Sequence, residues 1–64
     1  MKSYSSREII KIIKSNGWKL VRIEGSHHIF KHETKKGIVT VPHPNKDLPI
    51  RTTKSIFAQA GLVI

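Results

Sequence analysis

The stretch that decides the fold is Gly17-Trp18-Lys19-Leu20-Val21-Arg22-Ile23-Glu24-Gly25-Ser26-His27-His28-Ile29-Phe30-Lys31-His32-Glu33. Before Gly17 the apolar residues recur at helical spacing. After it the period falls to two, the spacing of a strand. Trp18 to Glu24 therefore reads as a strand, Gly25-Ser26 as a tight turn, and His27 to Glu33 as the returning strand. Thr34 to Gly37 is a polar turn leading into the β-branched run Ile38 to Val41. Three strands with such short connections predict an antiparallel meander.

Working outward, a helix is expected from about Ser6 to Asn16. Ser5 and Glu8 have capping-box spacing, and Tyr4 and Ile9 take the hydrophobic-staple positions around that cap. Ile9, Ile10, Ile12 and Ile13 form one apolar face opposite Arg7, Lys11 and Lys14, and Asn16-Gly17 supplies the stop. On the other side, Pro42, Pro44 and Pro49 end strand character and define an extended loop. A second helix is expected to start near Thr52, bury Ile56, Phe57 and Ala60, and stop at Gly61, with Leu62-Val63-Ile64 docking back. Three strands are not stable with both faces wet, so two apolar helices should cover one face and leave the other for a partner. The expected fold class is α+β, helix–strand–strand–strand–helix, and it resembles the double-stranded-RNA-binding-domain fold.

Composition narrows the function classes. The chain has 64 residues and no cysteine, which excludes disulfides and thiolate metal sites and suits a reducing, cytoplasmic location. A single domain spanning residues 1–64 is expected. No apolar run approaches the roughly 18–20 residues of a membrane span, and Met1-Lys2-Ser3-Tyr4 turns polar too soon for a signal peptide. Twelve Lys and Arg against four Asp and Glu leave a formal charge of +8. The basic residues are dispersed from Lys2 to Lys54, as on a charged folded surface. That excess favours a polyanionic partner: nucleic acid, an acidic protein or an anionic membrane.

The candidates for chemistry are His27, His28, His32 and His43, because the four carboxylates fall on separate elements. A zinc site is disfavoured. His28 and His32, four apart on a strand, would lie about 13 Å from each other at a rise of about 3.3 Å per residue. Acid–base chemistry or plain binding is left. An imidazole exchanges a proton near neutral pH, and a 2′-hydroxyl is RNA's own internal nucleophile. A base for that hydroxyl, with cations for the charged transition state, suffices to cut RNA without metal. The competing reading makes each histidine a surface or hydrogen-bonding residue. Trp18 and Phe30 read as core packing before base stacking. Pro42-His43-Pro44-Asn45-Lys46 reads either as a stiff mount that holds Lys46 on a phosphate or as a rigid connection with a solvated lysine.

Taken together, Gly17-Trp18, Arg22, Gly25-Ser26-His27-His28, Val41-Pro42-His43-Pro44-Asn45-Lys46-Asp47-Leu48, Ser55-Ile56 and Gln59-Ala60-Gly61-Leu62 resemble the HicA toxin family. The likeness runs from about Ser5 to Leu62. It implies an mRNA interferase of a type II toxin–antitoxin module: an endoribonuclease that arrests translation and is neutralised by a HicB antitoxin. It also implies no cofactor and no metal, a monomer when free, and a hetero-oligomer with the antitoxin. In the family motif the catalytic histidine follows Gly-Ser and one variable residue, which lands on His28 and passes over His27. Strand parity alone does not choose between them. Arg22, Ser26, Lys46 and Lys54 are the residues expected to hold the RNA. The antitoxin is expected to cover His28 and the cationic face. Arg51-Thr52 departs from the family's Gly-Thr at the second helix. The rival readings are a non-catalytic RNA-binding module of the same fold and a partner-binding protein without nuclease activity.

Overall fold

A computed structural model describes residues 3–62. The elements run α1 (Ser6–Ser15), β1 (Lys19–Glu24), β2 (His27–Lys31), β3 (Ile38–Pro42) and α2 (Ile50–Gln59). The strands form one antiparallel sheet in the order β1-β2-β3. The α+β architecture expected from the spacing is the one observed.

The start of α1 is set by its sequence. Ser5 Oγ accepts the Glu8 N–H, and the Glu8 carboxylate accepts the Ser5 N–H at 3.0 Å, closing the capping box. Its end is equally local. Gly17 takes φ +93°, a conformation costly for any residue with a Cβ, and lets Trp18 N–H reach Ile13 O while Gly17 N–H reaches Lys14 O. Trp18 thus belongs to the helix stop, and β1 begins one residue later than the alternation predicts. The same pair of bonds closes α2, from Leu62 N–H to Phe57 O and from Gly61 N–H to Ala58 O. Leu62 packs on the core as expected; Val63 and Ile64 lie outside the described residues.

Two boundaries differ from expectation for visible reasons. Helix α2 starts at Ile50, two residues before Thr52, because the Pro49 carbonyl accepts the Thr53 N–H and the helix follows the proline directly. Strand β2 ends at Lys31, before Glu33, because the His32 ring captures the N–H groups of Thr34 and Lys35.

The core joins Ile9 and Ile13 of α1, Trp18, Phe30 of β2, Val39 and Val41 of β3, Leu48, and Ile56, Phe57 and Ala60 around α2. Ile10 and Ile12 flank it, half-buried, and Tyr4 packs edge-on against Phe57. Trp18 and Phe30 are 1% and 0% exposed, which makes them packing residues and removes them as stacking platforms. Both helices pack chiefly on β3. Strand β1 is therefore left at the margin, with Leu20, Val21 and Ile23 all exposed. The predicted cover of one sheet face holds over β2 and β3 only.

Register fixes which side chains share a face. Phe30 pairs with Val39 and His28 with Val41, so His28 lies on the helix side of the sheet. His27, its neighbour, is exposed on the other side. A bulge lies between Leu20 and Arg22. Below it Leu20 pairs with Phe30; above it Arg22 pairs with Ile29 and Ile23 with His28. Without the extra residue Arg22 would stand opposite His28. With it Arg22 turns to the open face.

Candidate active site

The site is built where the far end of the sheet meets the start of α1. His28 is half-buried, and its cross-strand partner Val41 is followed by Pro42 and then His43. The two imidazoles meet edge to face, with ring centroids 4.7 Å apart and planes at 80°. The His43 N–H donates to Ser26 O at 2.7 Å, which fastens the histidine loop to the Gly25-Ser26 turn just ahead of His28.

Ser6 closes the cluster from the helix. As the first helical residue its N–H has no partner within the helix, and it goes instead to Asn45 O at 2.8 Å. Asn45 N–H returns a bond to Ser6 Oγ at 2.9 Å, so helix and loop are clamped reciprocally. Ser6 Oγ also lies 2.6 Å from His43 Nδ1. The serine is 1% exposed because it shares the inward stripe of Ile9 and Ile13, three and seven positions on. His28 has no such anchor. Its Nδ1 is buried and finds no hydrogen-bond partner, so packing alone orients the ring.

Beside this cluster opens a groove of about 360 Å³ whose walls include Ser5, Arg7, His43, Asn45 and Lys46. Arg7 and Lys46 are exposed and make the groove cationic. Elsewhere Glu24 is ion-paired with Arg22, and Glu33 with Lys19 at 3.2 Å. Among the described residues no group of three or more histidine and acidic side chains converges. What the cluster offers is two imidazoles, a buried hydroxyl and nearby cations: proton transfer next to a bound anion.

Of the residues singled out from sequence, Ser26, His28, His43 and Lys46 come together here. Arg22 does not, being on the other face beside Glu24. Lys54 is exposed on α2, an element that contributes nothing to the cluster. His32 has a separate task. Its Nδ1 accepts the N–H groups of Thr34 and Lys35, which obliges Nε2 to carry the proton and donate it to Asn16 O at 3.0 Å. With its ring edge-on to Trp18, His32 latches the end of β2 to the end of α1. Sequence reading missed Ser6 and Arg7 as site residues. The signal for Ser6 was its place at the head of the Ile9–Ile13 stripe; for Arg7 there was none beyond its charge.

No individually curated protein matches the chain. The family described as the HicA toxin of bacterial toxin–antitoxin systems matches residues 6–62, which takes in every residue of the cluster. With the α-β-β-β-α order and the Gly-Ser-x-His turn both in place, the chain belongs to the HicA toxin family.

Proposed function

We propose that this toxin is a metal-independent endoribonuclease in which His28 is the general base. The family assignment supplies the class, a toxin with RNA as its target and an antitoxin as its partner. The observation that carries the finer reading is the half-buried His28 ring, set against a second imidazole at the edge of a cationic groove. His28 takes the proton of a ribose 2′-hydroxyl; O2′ attacks the adjacent phosphorus; the P–O5′ bond breaks. The products are a 2′,3′-cyclic phosphate and a 5′-hydroxyl. DNA lacks the attacking group and is not cut. Lys46 holds the phosphate beside the histidines. Ser26 shapes the turn that presents His28, and Arg22 and Lys54 hold flanking RNA by charge. Cleavage of mRNA in the cytoplasm arrests translation. A HicB antitoxin neutralises the toxin by covering His28 and the groove, its acidic residues speeding association with a body of charge +8.

The test is cleavage of long RNA in EDTA by the natural protein and by His28→Ala, with circular dichroism confirming that the variant is folded. Loss of a general base predicts a slowing of about 10²-fold or more. Equal cleavage by both proteins, or a 5′-phosphate on the products, would remove this mechanism. RNA binding without cleavage by the natural protein would favour a non-catalytic binding module instead.

A further inference from the structure

We propose that His43 is the proton donor to the leaving 5′-oxygen, held for that task by Ser6. The inference deepens the nuclease reading above and rests on it. Cleavage at one phosphodiester needs two proton transfers, one from O2′ and one to O5′, and the two oxygens occupy opposite apices of the same phosphorus. Two imidazoles side by side can serve both. Here the second ring is 4.7 Å from the first, and it borders the groove.

The hydrogen bonding distinguishes the two rings. Which nitrogen of a histidine carries the proton is set by what its other nitrogen touches. His43 Nδ1 touches the buried Ser6 hydroxyl, whereas His28 Nδ1 touches no partner. Ser6 Oγ already accepts the Asn45 N–H, which leaves it one hydrogen and one lone pair for the histidine. When His43 is neutral, the hydroxyl donates to Nδ1 if the ring proton is on Nε2, and accepts the Nδ1 hydrogen if it is not. When His43 is charged, the hydroxyl accepts the Nδ1 hydrogen, and Nε2 is protonated as well. In either charge state Ser6 holds the ring by Nδ1, which leaves Nε2 as the nitrogen free to give a proton when the ring is charged. In the step itself the charged ring gives its Nε2 proton to O5′ as the P–O5′ bond breaks. The ring is left neutral with its hydrogen on Nδ1, donated to Ser6 Oγ, and Nε2 takes a proton from water before the next turnover. His28 holds the proton taken from O2′, so protons balance over the two rings.

The experiment compares two RNAs under single turnover. One is a natural oligonucleotide. The other has sulfur in place of the bridging 5′-oxygen at the linkage the natural protein prefers. Thiolate leaves without protonation, so loss of the acid matters only for oxygen. His43→Ala should slow the oxygen substrate by about 10²-fold or more and leave the sulfur substrate near the natural rate. His43→Gln should do the same while retaining a group able to meet Ser6 Oγ. Ser6→Ala, acting through the ring, should show a smaller loss again confined to oxygen. His28→Ala should slow both substrates, and His27→Ala, on the far face, neither. Each ratio is taken within one preparation, so an unfolded fraction cancels. Equal slowing of both substrates by the His43 variants, or no slowing of either, would overturn the assignment to His43 and leave His28 standing. Failure of the natural protein to cut either RNA would overturn the nuclease reading and this proposal with it.

Discussion

Replacing Gly17 with alanine tests how the helix-to-strand corner is held. Gly17 has φ +93°, and a Cβ built there would lie 2.7 Å from His32 Nε2, closer than real atoms approach. The ring cannot swing aside cheaply, because Asn16 O holds Nε2 while the N–H groups of Thr34 and Lys35 hold Nδ1. Gly37 provides a matched control, with φ +84° and nothing within 4 Å of its would-be Cβ. Left-handed backbone costs a residue with a Cβ about 1–2 kcal/mol, offset by about 0.4–1 kcal/mol from the stiffer unfolded chain. Gly37→Ala should therefore cost about 1 kcal/mol. Gly17→Ala adds a hydrogen bond of about 0.5–1.5 kcal/mol and part of the ring packing on Trp18, for a total of about 2–3 kcal/mol. In a domain this small that lowers the melting temperature by about 10–20 °C. Urea unfolding followed by fluorescence of the single, buried Trp18 measures both variants. A double-mutant cycle completes the test. In a His32→Ala background the clash is gone, and Gly17→Ala should cost no more than Gly37→Ala. Equal costs for the two glycines in the natural background, or no coupling to His32, would refute the steric argument.

Other outcomes follow from the groove and the caps. Lys46→Ala should slow cleavage at low salt and flatten its salt dependence by about 0.7 in logarithmic slope for each phosphate that the lysine neutralises on single-stranded RNA. Unchanged cleavage across several salt concentrations would remove Lys46 from the site. Arg22→Ala, on the opposite face, should flatten the slope in the same way without changing the rate at saturating RNA. Ser5→Ala should cost about 0.5–2 kcal/mol in urea unfolding through loss of the α1 cap, with Glu8 still in place.

Local chemistry made most of the fold legible. Ser5 and Glu8 announce the start of α1, Asn16-Gly17 its end, and the change of period after Gly17 places the sheet. In each case the interacting partners are neighbours in sequence. What stayed hidden depends on contacts between elements. The start of α2 falls earlier than its side chains suggest because Pro49 can cap with its carbonyl alone. Arg22 reads as a companion of His28 because a one-residue bulge at Val21 leaves no mark in an alternating strand, yet it reverses the direction of the side chains beyond it. For the site, the family motif pointed to His28 over His27, and the register puts His28 on the helix side beside His43. The Ile9–Ile13 stripe marks Ser6 as facing inward but not what it meets, since its partners Asn45 and His43 lie 39 and 37 residues away.

That separation makes the cluster a product of the whole fold. The bond between Ser6 and His43 exists only after the intervening sheet has formed and the loop through Asn45 has closed upon the first helix. Along the chain, α1 and both strands of the first hairpin come before the second imidazole. No fragment short of Asn45 holds the cluster. Nothing local assembles it: α1 and the histidine loop must both be docked on the sheet before Ser6, His28 and His43 stand together.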